Sequence, residues 1–413
     1  MEKRTDFIPV LLGTDANAYG MARSFYEAYG LKSLAVGKGA LVATANSKIV
    51  TVMVQEPNLE DDKVFVRTLT EFASKVHAEY GKDKTLLLVP CGDNYIKLLV
   101  RNQDQLRNLY RFECIDEALL MRLSLKENFY QVCEEYGFAF PKTDECTFEN
   151  YKTHRPPFDF PMIIKPSNSV AYWNCHFPKK KKVFVADNEE EYTKILNAIY
   201  GSSYKDTLIL QEYIPGDDSH MRVMNCYCGS DRKVKLISLG NVLLEEQTPE
   251  GIGSYAAIIN GYDEELSMRM KNFLESIGYI GFANFDMKYD ERDGQYKLFE
   301  MNLRQGRSSY YVTAGGFNMV KWLVEDVIDH KDTGLTIADG KVLWTIIPKK
   351  VIFKYVTNPE RLAEAKQLIS EGKFIQSLYF KEDAGLKRTA YFLYNQHHYV
   401  KKFDEFFGNK GLR

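Results

Sequence analysis

The sequence predicts an α/β protein built of α+β lobes: a doubly wound opening domain, two mixed lobes and a C-terminal extension. Three observations predict it. The opening residues twice carry a short apolar strand into a Gly-bearing turn, at Phe7 to Leu12 and at Leu86 to Val89, the pattern of an open parallel sheet. The middle of the chain alternates strand-length apolar runs with amphipathic helical stretches. Near residue 290, two alternating strands flank a tight turn and set acidic and amide side chains on one face. At 413 residues the chain exceeds one ordinary domain. The expected divisions are 1–120 for the doubly wound domain, 121–210 for a small lobe, 211–330 for a large lobe and 331–413 for the extension.

Composition narrows the function classes. With 45% hydrophobic and 27% charged residues the chain can build large cores and is not disordered. A formal net charge of −2 gives no case for nucleic acid as a partner. No apolar run approaches the ~18 residues of a membrane span, and the opening Met-Glu-Lys-Arg-Thr-Asp lacks an apolar signal core. Seven cysteines without CxxC spacing read as reduced thiols, so a cytoplasmic location is expected and a disulfide scaffold or zinc site is not. Cys226 and Cys228 alternate on one strand face and read as core packing.

The elements follow in order. Gly13 to Gly20 is a turn leading into a helix that ends near Tyr29. It is a poor match to a dinucleotide fingerprint, but a helix start can hold an anion. The loop Pro90 to Tyr95 lies at a strand's carboxyl end, where open sheets bind ligands; both loops are expected to line an acceptor pocket. Ser124-Leu125-Lys126-Glu127 reads as a capping box. It puts Lys126 in a first helical turn, where the dipole disfavours a cation unless an anion is bound. Phe160 to Pro166 is an apolar strand delivering Lys165 to a small polar loop, Ser167-Asn168-Ser169. Lys179 to Lys182 reads as a solvated basic turn before the strand Val183 to Val185, with contact to an anionic substrate as the lesser reading. Leu208 to Asp218 is an apolar strand, an extended segment (Gln211, Glu212, Tyr213, Ile214) and a turn with Asp217 and Asp218. Asn241 to Tyr255 reads as loop, and Glu264 to Ile277 as an amphipathic helix stopped by Gly278. The aromatic, basic stretch after Trp344 reads as a packed cap or a membrane-facing surface, with the cap preferred.

The hairpin Gly281 to Ser309 carries the chemistry. Centred on Asp293, it sets Asp286 opposite Glu300 and Asn284 opposite Asn302, with Phe285, Met287 and Tyr289 meeting Met301, Phe299 and Lys297 on the other face. Like charges across a strand pair repel. Two carboxylates and an amide oxygen suit Mg²⁺, which takes one or two protein carboxylates plus waters and phosphates. Arg304 continues the same face, and Arg307, Ser308 and Ser309 crowd the following loop. Alone, each of these features also reads as an ordinary surface hairpin, strand or turn.

In combination they resemble a known family. Glu300-Met301-Asn302-Leu303-Arg304, with Asp286 on the preceding strand, is similar to the metal-binding end of the ATP-grasp ligases, and the resemblance covers about residues 120–330. Pro-Gly-Asp-Asp-Ser at 215–219, Gly-Phe-Ala-Asn-Phe-Asp-Met-Lys-Tyr-Asp at 281–290, Asn-Leu-Arg-Gln-Gly-Arg-Ser-Ser at 302–309 and Gly-Met-Ala-Arg-Ser-Phe at 20–25 resemble the D-aspartate ligases of Gram-positive cell-wall synthesis. The resemblance implies an ATP-grasp fold behind a pre-ATP-grasp domain. It implies Lys126, Lys165 and Ser169 on ATP phosphates, although the loop after Lys165 has no glycine and carries Tyr172 and Trp173. It implies Gln211, Glu212, Tyr213 and Ile214 along the adenine edge, with Glu212 and Ile214 supplying backbone contacts. Asp218, or Asp217, would bind ribose. Asp286, Glu300 and Asn302 would hold Mg²⁺, with two ions expected. Arg304 would stabilise developing charge, and Arg307 and Arg222 would pair the acid's second carboxylate.

The activity so implied is phosphorylation of the β-carboxylate of D-aspartate by ATP, followed by attack of the lysine ε-amine of a UDP-MurNAc-peptide, in peptidoglycan biosynthesis. The expected partners are that amino acid and UDP-muramyl-peptide acceptor, with a homodimer left open. Alternatives are an ATP-grasp ligase for another acid or amine, or an ATP-binding regulatory protein without ligation. A dehydrogenase would need a nicotinamide site at 13–20.

Overall fold

The computed structural model describes residues 3–168, 171–172, 174–248 and 251–407; the side chains of Lys126 and Glu127 lie outside the description. Four parallel strands open the chain: β1 (Phe7–Leu12), β2 (Ser33–Gly37), β3 (Val50–Gln55) and β4 (Thr85–Pro90), in the order β3-β2-β1-β4. Strand β1 is apolar on both faces because both are covered: Val10 and Leu12 enter one core, Phe7 and Leu11 another. Asp15 ends the turn after β1 by accepting hydrogen bonds from the Asn17 and Ala18 N–H groups (3.1 and 3.2 Å), which caps the helix Ala16–Tyr29.

The capping box is corrected by the structure. Asp116 caps the helix Glu117–Ser124, which runs through Ser124, so Ser124 lacks the extended backbone a cap needs. The next helix, Lys126–Glu135, starts from Leu125 with no side-chain cap, and Gly137 follows it at φ 68°.

A small antiparallel sheet follows: β5 (Thr143–Cys146), β6 (Met162–Pro166), β7 (Phe184–Ala186) and β8 (Leu208–Glu212), in the order β5-β8-β6-β7. The large sheet holds β9 (Met221–Cys228), β10 (Val234–Glu245), β11 (Tyr255–Gly261), β12 (Gly281–Asp290), β13 (Gln295–Asn302), β14 (Thr336–Ile337), β15 (Leu343–Thr345) and β16 (Phe374–Gln376). Its order is β13-β12-β9-β10-β11-β15-β16, with β14 on β10. Asn241 to Glu245, expected as loop, is the end of β10, because Val242, Leu243 and Leu244 are apolar and buried there. Cys226 and Cys228 are buried in the core under β9. The last part of the chain adds three strands to this sheet rather than standing apart. It is also pinned to the first domain: Asp383 accepts from Tyr19 Oη (2.9 Å) and Ser47 Oγ (2.9 Å) and pairs with Arg388 (3.0 Å).

The hairpin β12–β13 keeps the expected pairs Asn284–Asn302 and Asp286–Glu300. The register then slips by one, so Met287 meets Leu298 and Tyr289 meets Tyr296, not Phe299 and Lys297. Phe299 is the extra residue, a β-bulge. Leu298 N–H bonds the Ala139 carbonyl (2.9 Å) and Tyr130 Oη donates to the Phe299 carbonyl (3.1 Å). The bulge lets Phe299 and Glu300 both line the cleft described next.

Candidate active site

A cleft of about 430 Å³ opens between the small sheet and the large one. Its floor is the hairpin. Asp286 and Glu300 are cross-strand partners with both carboxylates on the cleft side. Tyr255 Oη donates to Asp286 (2.8 Å). Burial, then the Glu300 charge opposite, pushes the Asp286 carboxyl up to about 7. Asn302 Nδ2 donates to Asn284 (3.0 Å) and Asp286 (3.3 Å), while its Oδ1 accepts from Arg304 (3.4 Å).

The small lobe supplies the opposite wall. Lys165, Gln211, Glu212, Tyr213 and Ile214 all line the cleft, because β6 and β8 are neighbours with Ile163 opposite Gln211. Lys165 Nζ donates to Gln211 Oε1, and Gln211 Nε2 donates to Tyr130 Oη (2.7 Å) and Thr143 Oγ1 (2.9 Å). Glu212 is committed twice to Lys142: its N–H donates to the Lys142 carbonyl (2.9 Å) and its carboxylate accepts from the Lys142 N–H (3.0 Å). Asp217 and Asp218 divide their work. Both line the cleft, but Asp217 also caps the short turn Asp218–His220 through Ser219, whereas Asp218 accepts from the Glu245 N–H (3.0 Å). The Lys126 side chain and Ser169 lie outside the described residues.

Arg304 and Arg307 leave the hairpin toward the first domain. Arg304 pairs with Asp93 (2.8 Å) at the carboxyl end of β4. Arg307 pairs with Glu246 (3.3 Å) at the cleft edge. The adjoining Gln305 accepts from Asn17 Nδ2 (2.9 Å) and donates to the Pro90 carbonyl (3.2 Å), so the loops after β1 and β4 both abut this segment. Arg222 does not join the site. Val223 pairs with Asp286 across β9 and β12, so Arg222 projects from the opposite face. There it bonds the Ser219 (2.6 Å) and Met221 (2.9 Å) carbonyls beside Tyr296.

Other cleft residues were not assigned to the site from sequence. Lys288 sits two residues after Asp286, on the same face, and donates to the Ile214 (2.9 Å) and Gly216 (2.8 Å) carbonyls. That alternation was visible in the sequence. Lys182, expected as part of a solvated turn, lines the cleft and bonds the Ile252 carbonyl (3.0 Å). Glu245 is pushed up to about 8 by burial and then by Asp218. Tyr255 and Glu245 are cross-strand neighbours on β10 and β11, a pairing no local signal announces.

The donor set fits a hard cation. Two adjacent carboxylates that repel each other gain from a positive charge between them. Among the described residues there is no group of three or more His, Cys, Asp or Glu side chains placed to hold a metal ion by themselves. Asn302 becomes an oxygen ligand only if its amide turns, since its nitrogen faces Asp286.

No family model matches the sequence. The chain is 42% identical over 411 residues to the D-aspartate ligase of Enterococcus faecium (strain Aus0004), covering 97% of each chain. Among solved structures it is similar to the L-amino acid ligase of Bacillus licheniformis (TM-score 0.55, 13% identity, 79% of this chain and 75% of that one). It is also similar to the biotin carboxylase domain of Hydrogenobacter thermophilus 2-oxoglutarate carboxylase, solved with MgADP, ADP and bicarbonate (TM-score 0.56, 16% identity, 82% and 73%). A three-sheet chain with its cleft between a small antiparallel lobe and a large sheet is an ATP-grasp protein, here a carbon–nitrogen ligase. Within that class, identity along nearly the whole length is decisive, and the chain belongs to the D-aspartate ligase family.

Proposed function

We propose that the protein uses Mg·ATP to activate the β-carboxylate of D-aspartate and joins it to the lysine ε-amine of a UDP-MurNAc-peptide. A carboxylate oxygen takes the γ-phosphoryl group and ADP leaves. The amine then attacks the acyl carbon, the amide bond forms, phosphate leaves and the amine gives up a proton. The observation that carries the reading is the gathering in one cleft of Lys165, the 211–214 segment, Asp218, Asp286 and Glu300, in a chain 42% identical to a D-aspartate ligase.

Each residue has a role that follows from its chemistry. Lys165 holds phosphate, the 211–214 segment lies along the adenine edge and Asp218 accepts ribose hydroxyls. Asp286, Glu300 and a turned Asn302 hold Mg²⁺, which screens phosphate charge from the incoming carboxylate. Arg304 faces the charge that develops on the transferred group. Arg307 exchanges Glu246 for the acid's second carboxylate, a group that guanidinium matches bidentately. The absence from the described chain of any helix long and apolar enough to cross a membrane is compatible with a UDP-linked acceptor.

The test is phosphate release from Mg·ATP with a panel of D- and L-amino acids, with and without UDP-muramyl-pentapeptide. Release that requires D-aspartate and the lysine-containing precursor together is expected. Turnover with a different acid would overturn the substrate assignment. Tight ATP binding with no turnover on any pair would favour a regulatory ATP-binding protein.

A further inference from the structure

The end of the chain reaches the nucleotide cleft. Tyr355, Thr357 and Phe407 line the same cavity as Gln211 and Asp218, from which they are far removed in sequence. Two hydrogen bonds clamp this segment to the turn that presents Asp218. Thr357 Oγ1 donates to the Asp217 carboxylate, and Asn358 Nδ2 donates to Ser219 Oγ (3.2 Å). The bonds fall on the residues either side of Asp218, so the turn is held from outside the ATP-grasp core.

Phe407 is the first residue after the helix Leu386–Phe406. Its ring lies 4.4 Å from Tyr355 and 6.4 Å from Phe403 between centroids. Tyr355 and Phe403 are buried, and Tyr355 Oη donates to Asp404, which Lys354 also pairs at 2.7 Å. Phe407 is therefore anchored from behind, is half-buried and lines the cleft. An aromatic face in a cleft of this size is a contact surface for a planar or sugar-bearing ligand.

We infer that the C-terminal segment completes the nucleotide site: Phe407 touches the nucleoside part of bound ATP, and Thr357 is a positioning residue that fixes the Asp217–Asp218 turn. The inference rests on the cleft being the ATP site. It gives the C-terminal extension a role in substrate binding beyond packing. If Phe407 were only a packing residue over Tyr355, its loss would lower stability and leave nucleotide affinity alone.

The experiment uses the full chain with three variants, Phe407→Ala, Phe407→Leu and Thr357→Val. Mg·ATP is titrated directly, the KM values for ATP and for the amino acid are measured, and unfolding temperature is followed. Phe407→Ala is expected to raise the ATP Kd and KM about tenfold, as loss of an aromatic contact to a nucleoside does, with the amino-acid KM and kcat within about twofold. Phe407→Leu keeps apolar volume against Tyr355 and is expected to fold while still weakening ATP several-fold; it decides the matter if the alanine variant is unstable. Thr357→Val is expected to raise the ATP KM about threefold, since the hydrogen bond it removes from the Asp217 carboxylate acts on the nucleotide only through the position of the turn. Folded Phe407→Leu and Thr357→Val proteins with wild-type ATP affinity would overturn the inference while leaving the ligase reading intact. A wild-type protein that binds no Mg·ATP would overturn both.

Discussion

Replacing Asp286 by Asn separates the stability of the hairpin from its function. The Asp286 carboxyl is pushed from 3.8 up to about 7, by burial first and by Glu300 second. A carboxyl with a raised folded-state pKa destabilises the folded chain once the pH exceeds its unfolded value. The penalty grows as pH rises toward 7 and is constant above it. At 1.36 kcal/mol per pH unit that penalty has a ceiling of about 4 kcal/mol. Asp286 opens onto a solvent-accessible cleft, so screening reduces the working figure to about 1–2 kcal/mol. Asparagine keeps an acceptor for Tyr255 Oη, now at 2.8 Å, and offers Glu300 a donor in place of a like charge. In EDTA at pH 8 the Asp286→Asn protein should melt about 1–2 °C above wild type. The difference should shrink to roughly a third of that by pH 5 and vanish only below about pH 4, where the unfolded chain also holds its proton. The same variant should lose Mg·ATP-dependent phosphate release by about a hundredfold or more. Scanning calorimetry between pH 5 and 8.5, with chelator and then with Mg·ATP, measures both effects. A variant less stable than wild type at pH 8, or a gain independent of pH, would refute the electrostatic account. Full activity would refute the metal assignment.

Other expectations follow from the cleft walls. Glu245, pushed up to about 8 by burial and Asp218, ionises as pH rises beyond 8 and adds negative charge to the cleft proposed to bind ATP. Wild-type Mg·ATP affinity should therefore fall about fivefold between pH 7 and 9, and a Glu245→Gln protein should give a flat profile by calorimetric titration. Lys288→Met removes the cation that holds the Ile214 and Gly216 carbonyls at 2.9 and 2.8 Å. It should raise the ATP KM about tenfold, the cost of a charge-assisted pair of bonds, and an unchanged KM would exclude Lys288 from the nucleotide wall. Arg222→Met should leave the amino-acid KM within about twofold, because the side chain lies across the sheet from Asp286. A large rise would mean that Arg222 reaches the substrate after all.

The parts of this site legible in sequence are those that local geometry dictates. The Asp286–Glu300 and Asn284–Asn302 pairs follow from alternation about a tight turn, and both occur. Lys165 and the 211–214 segment end strands whose apolar runs are plain, and the two strands are neighbours. What failed depended on information that alternation does not carry. Arg222 was counted toward the site for its place on the next strand and its match to a carboxylate, but the face it occupies is fixed by its register against β12, a partner about 65 residues away. The Phe299 bulge has no sequence marker, since it arises where Leu298 N–H bonds Ala139 and Tyr130 bonds the Phe299 carbonyl. Ser124 met the letter of a capping box, but Asp116 had already started a helix through it. Thr357 and Phe407 are the extreme case: Thr357 meets Asp217 about 140 residues earlier in the chain, and Phe407 reaches the cleft through its stacking on Tyr355 within the extension. The site is thus assembled at two ranges. Short-range alternation sets the cleft-facing carboxylates on the hairpin. Long-range docking of the first domain and of the chain's last helix decides which cations and rings surround them, and Asp383, bonded to Tyr19 and Arg388, is the buried charge that holds that docking in register.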